Sequence, residues 1–214
     1  LRAHNHPVRA LFALLLTLVF GAPAAAGELV VTVRLPNGAP VANAVVSLYP
    51  GGRPAPLAAP AGLYKVAQQN TQFHPFVLVV PVGATIAFPN YDAFRHHVYS
   101  FSPAKRFELK LYAREQNRTV RFDKAGVVAL GCNIHDQMTA FLKVSDTGLA
   151  TLTDGSGHAV FPDAPPGAVV AQIWHPYLRA PANQIELRWT VGRARQAETV
   201  NVNLRPPPRP AAAY

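Results

Sequence analysis

The one cysteine and the one methionine of this 214-residue chain stand six positions apart, at Cys132 and Met138, with His135 between them. Upstream, the pair His96-His97 opens a run of strand-forming residues. Two imidazoles, a thiolate and a thioether make a donor set of mixed softness. Sulfur favours Cu(I), imidazole suits Cu(II), and a weak axial thioether lets one geometry serve both states. That is the ligand set of a mononuclear type 1 copper centre, and it suits one-electron transfer. The candidate metal ligands are His96, Cys132, His135 and Met138, with His97 as the alternative to His96. Strand periodicity does not choose between the two, because His96-Val98-Ser100 and His97-Tyr99-Phe101 can each form the inward face.

The other histidines carry no ligand spacing. His74, His158 and His175 read as structural or exposed, and His175, in Trp174-His175-Pro176, reads as a strand end. No enzyme is expected. There is no open-site histidine cluster for hydrolysis, and a lone Cys excludes the two-Cys binuclear copper centre. A Cys132-His135-Asp136 protease site fails because a catalytic His must approach the thiol from elsewhere, with its orienter behind it.

The elements that must position these donors are strands. Nothing reads as a long amphipathic helix, and alternation marks strands at Glu28–Arg34, Asn43–Tyr49, Phe76–Pro81, Thr85–Phe88, His96–Phe101 and Phe107–Tyr112. Further strands are expected at Thr119–Phe122, Val127–Leu130, Thr139–Val144 and Ala168–Trp174, with two more near Glu186 and Val200. Eight of the eleven Phe lie between Phe73 and Phe141, while both Trp lie beyond, so composition shifts at the ends of the middle segment. Pro54 to Pro60 forms a Pro/Ala linker.

The chain opens with an export signal. Arg2 and Arg9 precede the apolar run Ala10 to Phe20, and small residues follow to Ala26. That run is too short to span a bilayer. Removing it takes the formal charge from +9 to +7, and places the mature chain in the periplasm or outside the cell. A free Cys is ordinarily a small buried hydrophobe. In an exported chain an unpaired thiol is open to oxidation, whereas a metal-bound thiolate is protected. Charged residues make up only 14%, which argues against a disordered charged tail protein. Basic residues in an exported protein point to membranes, envelope polymers and acidic protein partners rather than nucleic acid. Seven of them fall between Lys105 and Lys124. They read either as the solvated face of one hairpin or as a docking patch for an acidic redox partner, with Lys105, Arg106, Lys110 and Arg114 as its candidate residues.

Residues 72 to 144 resemble the cupredoxins, in the amicyanin and plastocyanin branch. The matches are Cys132-x-x-His135-x-x-Met138, Phe73-His74-Pro75 before a strand, Val82-Gly83-Ala84-Thr85-Ile86 and Phe88-Pro89-Asn90-Tyr91-Asp92. The resemblance implies a Greek-key β-sandwich binding one copper ion, and motif position favours His96 as the first ligand. It also implies that His135 reaches the surface within an apolar patch, and that the ligand loop is preformed without metal. Two positions depart from it. His97 replaces an Asn whose side chain ties the first ligand strand to the Cys loop, a bond that a neutral His can donate. Ile134 replaces a Pro. The flanks, through Val31 to Ser47 and Thr153 to Gly167, resemble a small transthyretin-like or carboxypeptidase-regulatory β-sandwich.

The expected organisation is therefore an all-β chain: a signal at 1–26, a first part of a flanking β module at 27–60, a cupredoxin domain at 61–145, a second flanking part at 146–205 and a disordered tail at 206–214. The expected function is one-electron transfer between redox partners. The alternative is copper binding or delivery without redox cycling. A third reading gives the flanking module the main task, with copper secondary.

Overall fold

The computed structural model describes residues 27–207 apart from 115 and 117, so the expected signal and most of the expected tail lie outside the described residues. The chain enters through β1 (Gly27–Arg34) and β2 (Val45–Pro50). A middle segment follows with β3 (Tyr64–Lys65), β4 (Ala67–Gln69), β5 (Gln72–His74), β6 (Val77–Pro81), β7 (Ala84–Ala87) and β8 (His96–Ser102). It continues through β9 (Lys105–Tyr112), β10 (Thr119–Phe122), β11 (Gly126–Gly131) and β12 (Thr139–Ser145). The chain then adds β13 (Ala150–Leu152), β14 (His158–Ala164), β15 (Gly167–Trp174), β16 (Gln184–Val191) and β17 (Gln196–Asn201). The fold is all-β.

Strands from the two chain ends pair with one another. One sheet runs β14-β1-β17 and another β13-β2-β15-β16. Their inward residues, including Leu29, Val31, Val33, Val46, Leu48, Phe161, Ala171 and Ile173, form one core. The middle strands form a five-stranded sheet, β6-β12-β11-β8-β9, and a three-stranded sheet, β10-β7-β3, with β4-β5 as a separate hairpin. A second core fills the space between these sheets, with Ile86, Phe88, Val98, Phe122, Val128 and Leu142 alongside Cys132 and Met138. Where the two units meet, Trp174, Val45 and Val77 are buried together and Phe76 and Phe141 pack on them.

Two sequence expectations need correction. The basic run from Lys105 to Lys124 is not one hairpin, because β9 pairs with β8 whereas β10 pairs with β7 in the other sheet. The strand β14 was not expected either: it holds Pro162 and Asp163, which depress strand propensity but are tolerated on a sheet edge, where β14 lies.

His175 follows β15 and is buried at 6% exposure. Its Nδ1 accepts the Tyr177 N–H at 3.2 Å. Burial drives its pKa down to about 4, against the opposing hydrogen bond to the Ala42 backbone. Protonation would also cost the Tyr177 bond. Because the unfolded imidazole titrates near 6.5, the unfolded chain binds the extra proton between that pH and about 4. Stability contributed by the neutral ring is thus complete above pH 6.5 and declines as pH falls, by up to about 1.4 kcal/mol per pH unit. Urea unfolding at pH 7, 5.5 and 4.5 should show a shallower acid limb in His175→Gln than in the wild type; parallel limbs would contradict it.

Candidate metal centre

The ligand loop is the connection between β11 and β12. These strands pair antiparallel, with Gly131 opposite Thr139, so Cys132 and Met138 stand at the two feet of the loop. The Met138 N–H donates to the His135 carbonyl at 2.9 Å, closing a turn that holds His135 over the loop. Gly131 leaves room for a close approach: a Cβ there would lie 2.8 Å from the tip of the Tyr99 ring of β8, which would have to shift just beside Cys132.

The structure places the adjacent histidines in different surroundings. His96, Val98 and Ser100 are fully buried on the inner face of β8, while Phe101 on the outer face is 72% exposed. His96 Nδ1 and His135 Nδ1 each lie 3.9 Å from Cys132 Sγ, and the three donors lie within 4.8 Å of one another. Thiolate and imidazole donors bound to one ion at ~2.3 and ~2.0 Å in a trigonal plane stand about 3.7 Å apart, so this spacing fits a single metal ion. Met138 is buried at 1% exposure, in the same core as Cys132. His97 is not in the cluster. Its Nε2 lies 2.9 Å from Glu108 Oε1 on β9, and its buried Nδ1 has no hydrogen-bond partner. It therefore ties β8 to β9 and does not make the bond to the Cys loop that the Asn replacement suggested.

Three further residues shape the centre. The first is Asp92, whose Oδ2 lies 2.7 Å from His96 Nε2. A proton on Nε2 donated to the carboxylate leaves the Nδ1 lone pair free toward Cys132. The same carboxylate accepts the N–H groups of Asn70 at 2.7 Å and Thr71 at 3.0 Å. Both residues have positive φ, at 54° and 59°, in the turn between β4 and β5, a conformation costly for a β-branched Thr. Burial alone would raise the Asp92 pKa; the bonds from His96, Thr71 and Asn70 outweigh it and hold the carboxyl below its usual range. Asn90, fully buried, accepts the Asp92 N–H and donates to the Phe94 and Tyr112 carbonyls, which fixes the loop.

The second is Phe94, whose ring lies 4.9 Å from that of His96 and 5.6 Å from that of His135. The third is Tyr112, 1% exposed. Between the pairs His96↔Tyr112 and Val98↔Leu109, β9 carries one residue more than β8. This bulge leaves Leu111 half exposed and turns Tyr112 inward. Burial, aided by the nearby Cys132, pushes the Tyr112 phenol up to about 12, so it stays neutral and donates to the Phe88 carbonyl at 2.6 Å. Phe94 and Tyr112 have no sequence signal of their own as residues of the site; Asp92 ends the matched stretch Phe88-Pro89-Asn90-Tyr91-Asp92, four positions before His96, with no role assigned to it there.

Of the four expected docking residues, Lys105, Arg106 and Lys110 are spread along β9 and Arg114 lies beyond its end. Lys105 and Arg106 pair with Ser102 and Phe101 at the far end of the β8–β9 hairpin, roughly 20 Å along the strand from Tyr112 at about 3.4 Å per residue. Arg114 instead lies at the metal end, where Nη2 donates to the Tyr91 carbonyl.

No protein-family model matches the chain, and no curated protein matches it. Among solved structures, the chain is similar to a copper-containing nitrite reductase from Thermus scotoductus SA-01, at 25% identity and a TM-score of 0.38, over 44% of this chain and 25% of that one. It is similar to a purple cupredoxin from Nitrosopumilus maritimus, at 20% identity and a TM-score of 0.35, over 38% of this chain and 99% of that one. It is also similar to an amicyanin variant in its reduced Cu(I) form, at 21% identity and a TM-score of 0.36, over 47% of this chain and 98% of that one. The chain thus spans about a quarter of the nitrite reductase and nearly all of the two smaller proteins. The middle unit is a two-sheet β-sandwich that brings His96, Cys132 and His135 together.

Proposed function

We propose that this chain is an exported type 1 copper protein that carries single electrons between redox partners, as a carrier and not a catalyst. The observation that carries the reading is the convergence of His96 Nδ1, His135 Nδ1 and Cys132 Sγ to within 4.8 Å, with the thioether of Met138 buried in the same core. When bound there, copper would supply a one-electron couple whose two states are both acceptable to this mixed donor set. The protein's own part is to hold the donors still. Asp92 fixes the tautomer and rotation of His96, Tyr112 and the core around Cys132 exclude water, and the half-buried His135 brings one donor ring to the surface. No helix among the described residues is long and apolar enough to cross a membrane.

Titrating the mature protein with Cu(II) while recording visible absorption tests this. One equivalent should produce an intense band with a reversible potential, lost in His96→Ala and kept in His97→Ala. A protein that binds only colourless Cu(I) would instead be a delivery protein, and bleaching by His97→Ala alone would overturn the ligand assignment.

A further inference from the structure

The sheet β13-β2-β15-β16 ends on β16, which has β15 on one side and, among the described residues, no strand on the other. Its hydrogen-bonding phase follows from its neighbours. The His175 N–H donates to the Asn183 carbonyl, whereas Ala168, opposite Thr190, gives its carbonyl to the Gly51 N–H on the far side of β15. Bonded pairs alternate along an antiparallel ladder. Ile185, Leu187 and Trp189 therefore bond β15 through their backbones, and Gln184, Glu186, Arg188 and Thr190 turn their N–H and C=O groups outward. Two of those groups are already satisfied: the Gln184 N–H donates to the Pro181 carbonyl, and the Thr190 carbonyl accepts from Gln196 Nε2 at 3.1 Å. The rest of the row has no partner among the described residues. Other sheet edges are blunted, β14 by Pro162 and Asp163 and β9 by a bulge and the cations Lys105, Arg106 and Lys110. Over its eight residues β16 has no proline, lysine or bulge, and such an edge is a template for another strand.

We infer that the chain forms a symmetric dimer in which β16 pairs antiparallel with β16 of a second copy, centred on Leu187. In that register the strand is its own complement: Leu187 faces Leu187, Ile185 faces Trp189, Glu186 faces Arg188 and Gln184 faces Thr190. The apolar pairs lie on the inward face, where all three residues pack against the core of the outer unit. The charged pair lies on the exposed face. The backbone matches too. Glu186 and Arg188 of the second copy exchange both their bonds, and the Thr190 N–H meets the Gln184 carbonyl. The groups left over, the Gln184 N–H and the Thr190 carbonyl, are those that each copy satisfies by itself. Moving the centre to Glu186 or to Arg188 would set like charges directly opposite, which is destabilising. A centre between residues would set inward side chains against outward ones. A two-fold interface needs one patch that complements itself, and only the Leu187 register provides it. Within one chain Arg188 Nη2 lies 3.4 Å from Glu186 Oε1 with both side chains well exposed, so redirecting them to a second copy sacrifices little.

The test uses the mature chain without copper, so that it does not depend on the metal reading. Sedimentation velocity across about a hundredfold range of concentration should show the mass doubling by mass action and rising no further. As it doubles, amide exchange at Glu186, Arg188 and Thr190 should slow together, while Gln184 changes little. Arg188→Glu and Glu186→Arg should each weaken self-association by about tenfold or more, since each places like charges face to face. Mixed together, those two variants should form a heterodimer, because every facing pair is then again of opposite charge. The double swap Glu186→Arg with Arg188→Glu should restore self-association, which guards against a single variant that merely folds badly. A chain that stays monomeric throughout, assembly that grows beyond the dimer, a dimer indifferent to these charges, or one whose Glu186, Arg188 and Thr190 amides stay unprotected would overturn the inference.

Discussion

Cys132→Ser is expected to remove the intense visible band of the copper-loaded protein and to weaken copper binding by more than the ~10–100-fold that loss of an outer-sphere partner costs. The thiolate is the soft donor of the set, and a serine hydroxyl, which stays protonated at neutral pH, cannot replace it. The side chain is 3% exposed within an apolar core, so the new hydroxyl would also be buried without a designed partner, at a cost of about 1–3 kcal/mol. Cys132→Ala separates the two effects: it deletes the donor without adding a polar group. Equilibrium copper titration and urea unfolding of the metal-free protein should show both variants colourless and only the Ser variant clearly destabilised. A Ser variant that kept the intense band would refute the assignment of Cys132.

Trp174→Ala is expected to cost about 3–5 kcal/mol, the range for truncating a buried large aromatic. Trp174 is 2% exposed and meets the Phe141 ring at 6.0 Å in an edge-on arrangement. Phe141 in turn meets Phe76 at 5.6 Å. The side chain thus lies at the seam between the two units, and its loss should turn one calorimetric transition into two. The copper absorption should be unchanged, because none of His96, Cys132, His135 and Met138 belongs to the cluster packed at the seam. A single transition lowered by less than about 1 kcal/mol would show that the seam contributes little.

Much of this architecture was legible because alternation is a local signal. Strands such as β1, β8 and β12 bury one face, and their apolar residues recur at period 2. The ligand loop was legible for a different reason: rare residue types at a spacing that fits a strand-to-strand turn. What escaped were features set by neighbours distant in sequence. In β8 the residues His96, His97 and Val98 are all buried, so no periodicity could choose the ligand. The two differ only through distant partners: Glu108 across the strand pair bonds His97, and Asp92 bonds His96. The bulge that turns Tyr112 inward breaks the period on which a strand reading depends. The run of basic residues from Lys105 to Lys124 stands out in the sequence, yet the fold divides it between two sheets.

The pairing of the chain ends has a consequence for folding order. In β2 and β13, Ser47 faces Ala150 across an antiparallel pair, so seen from the outer unit the whole middle segment occupies the place of a turn. Closing an unstructured loop of roughly 100 residues instead of about four costs about 3 kcal/mol more in chain entropy. A folded middle unit avoids much of this, because its entry and exit segments already run side by side. The Gly148 N–H donates to the Ala55 carbonyl at 3.1 Å, the Ala55 N–H donates to Thr147 Oγ1 at 3.1 Å, and any side chain at residue 148 would strike the Pro56 carbonyl. The middle unit, once formed, serves as a ready-made reverse turn for the outer sheets.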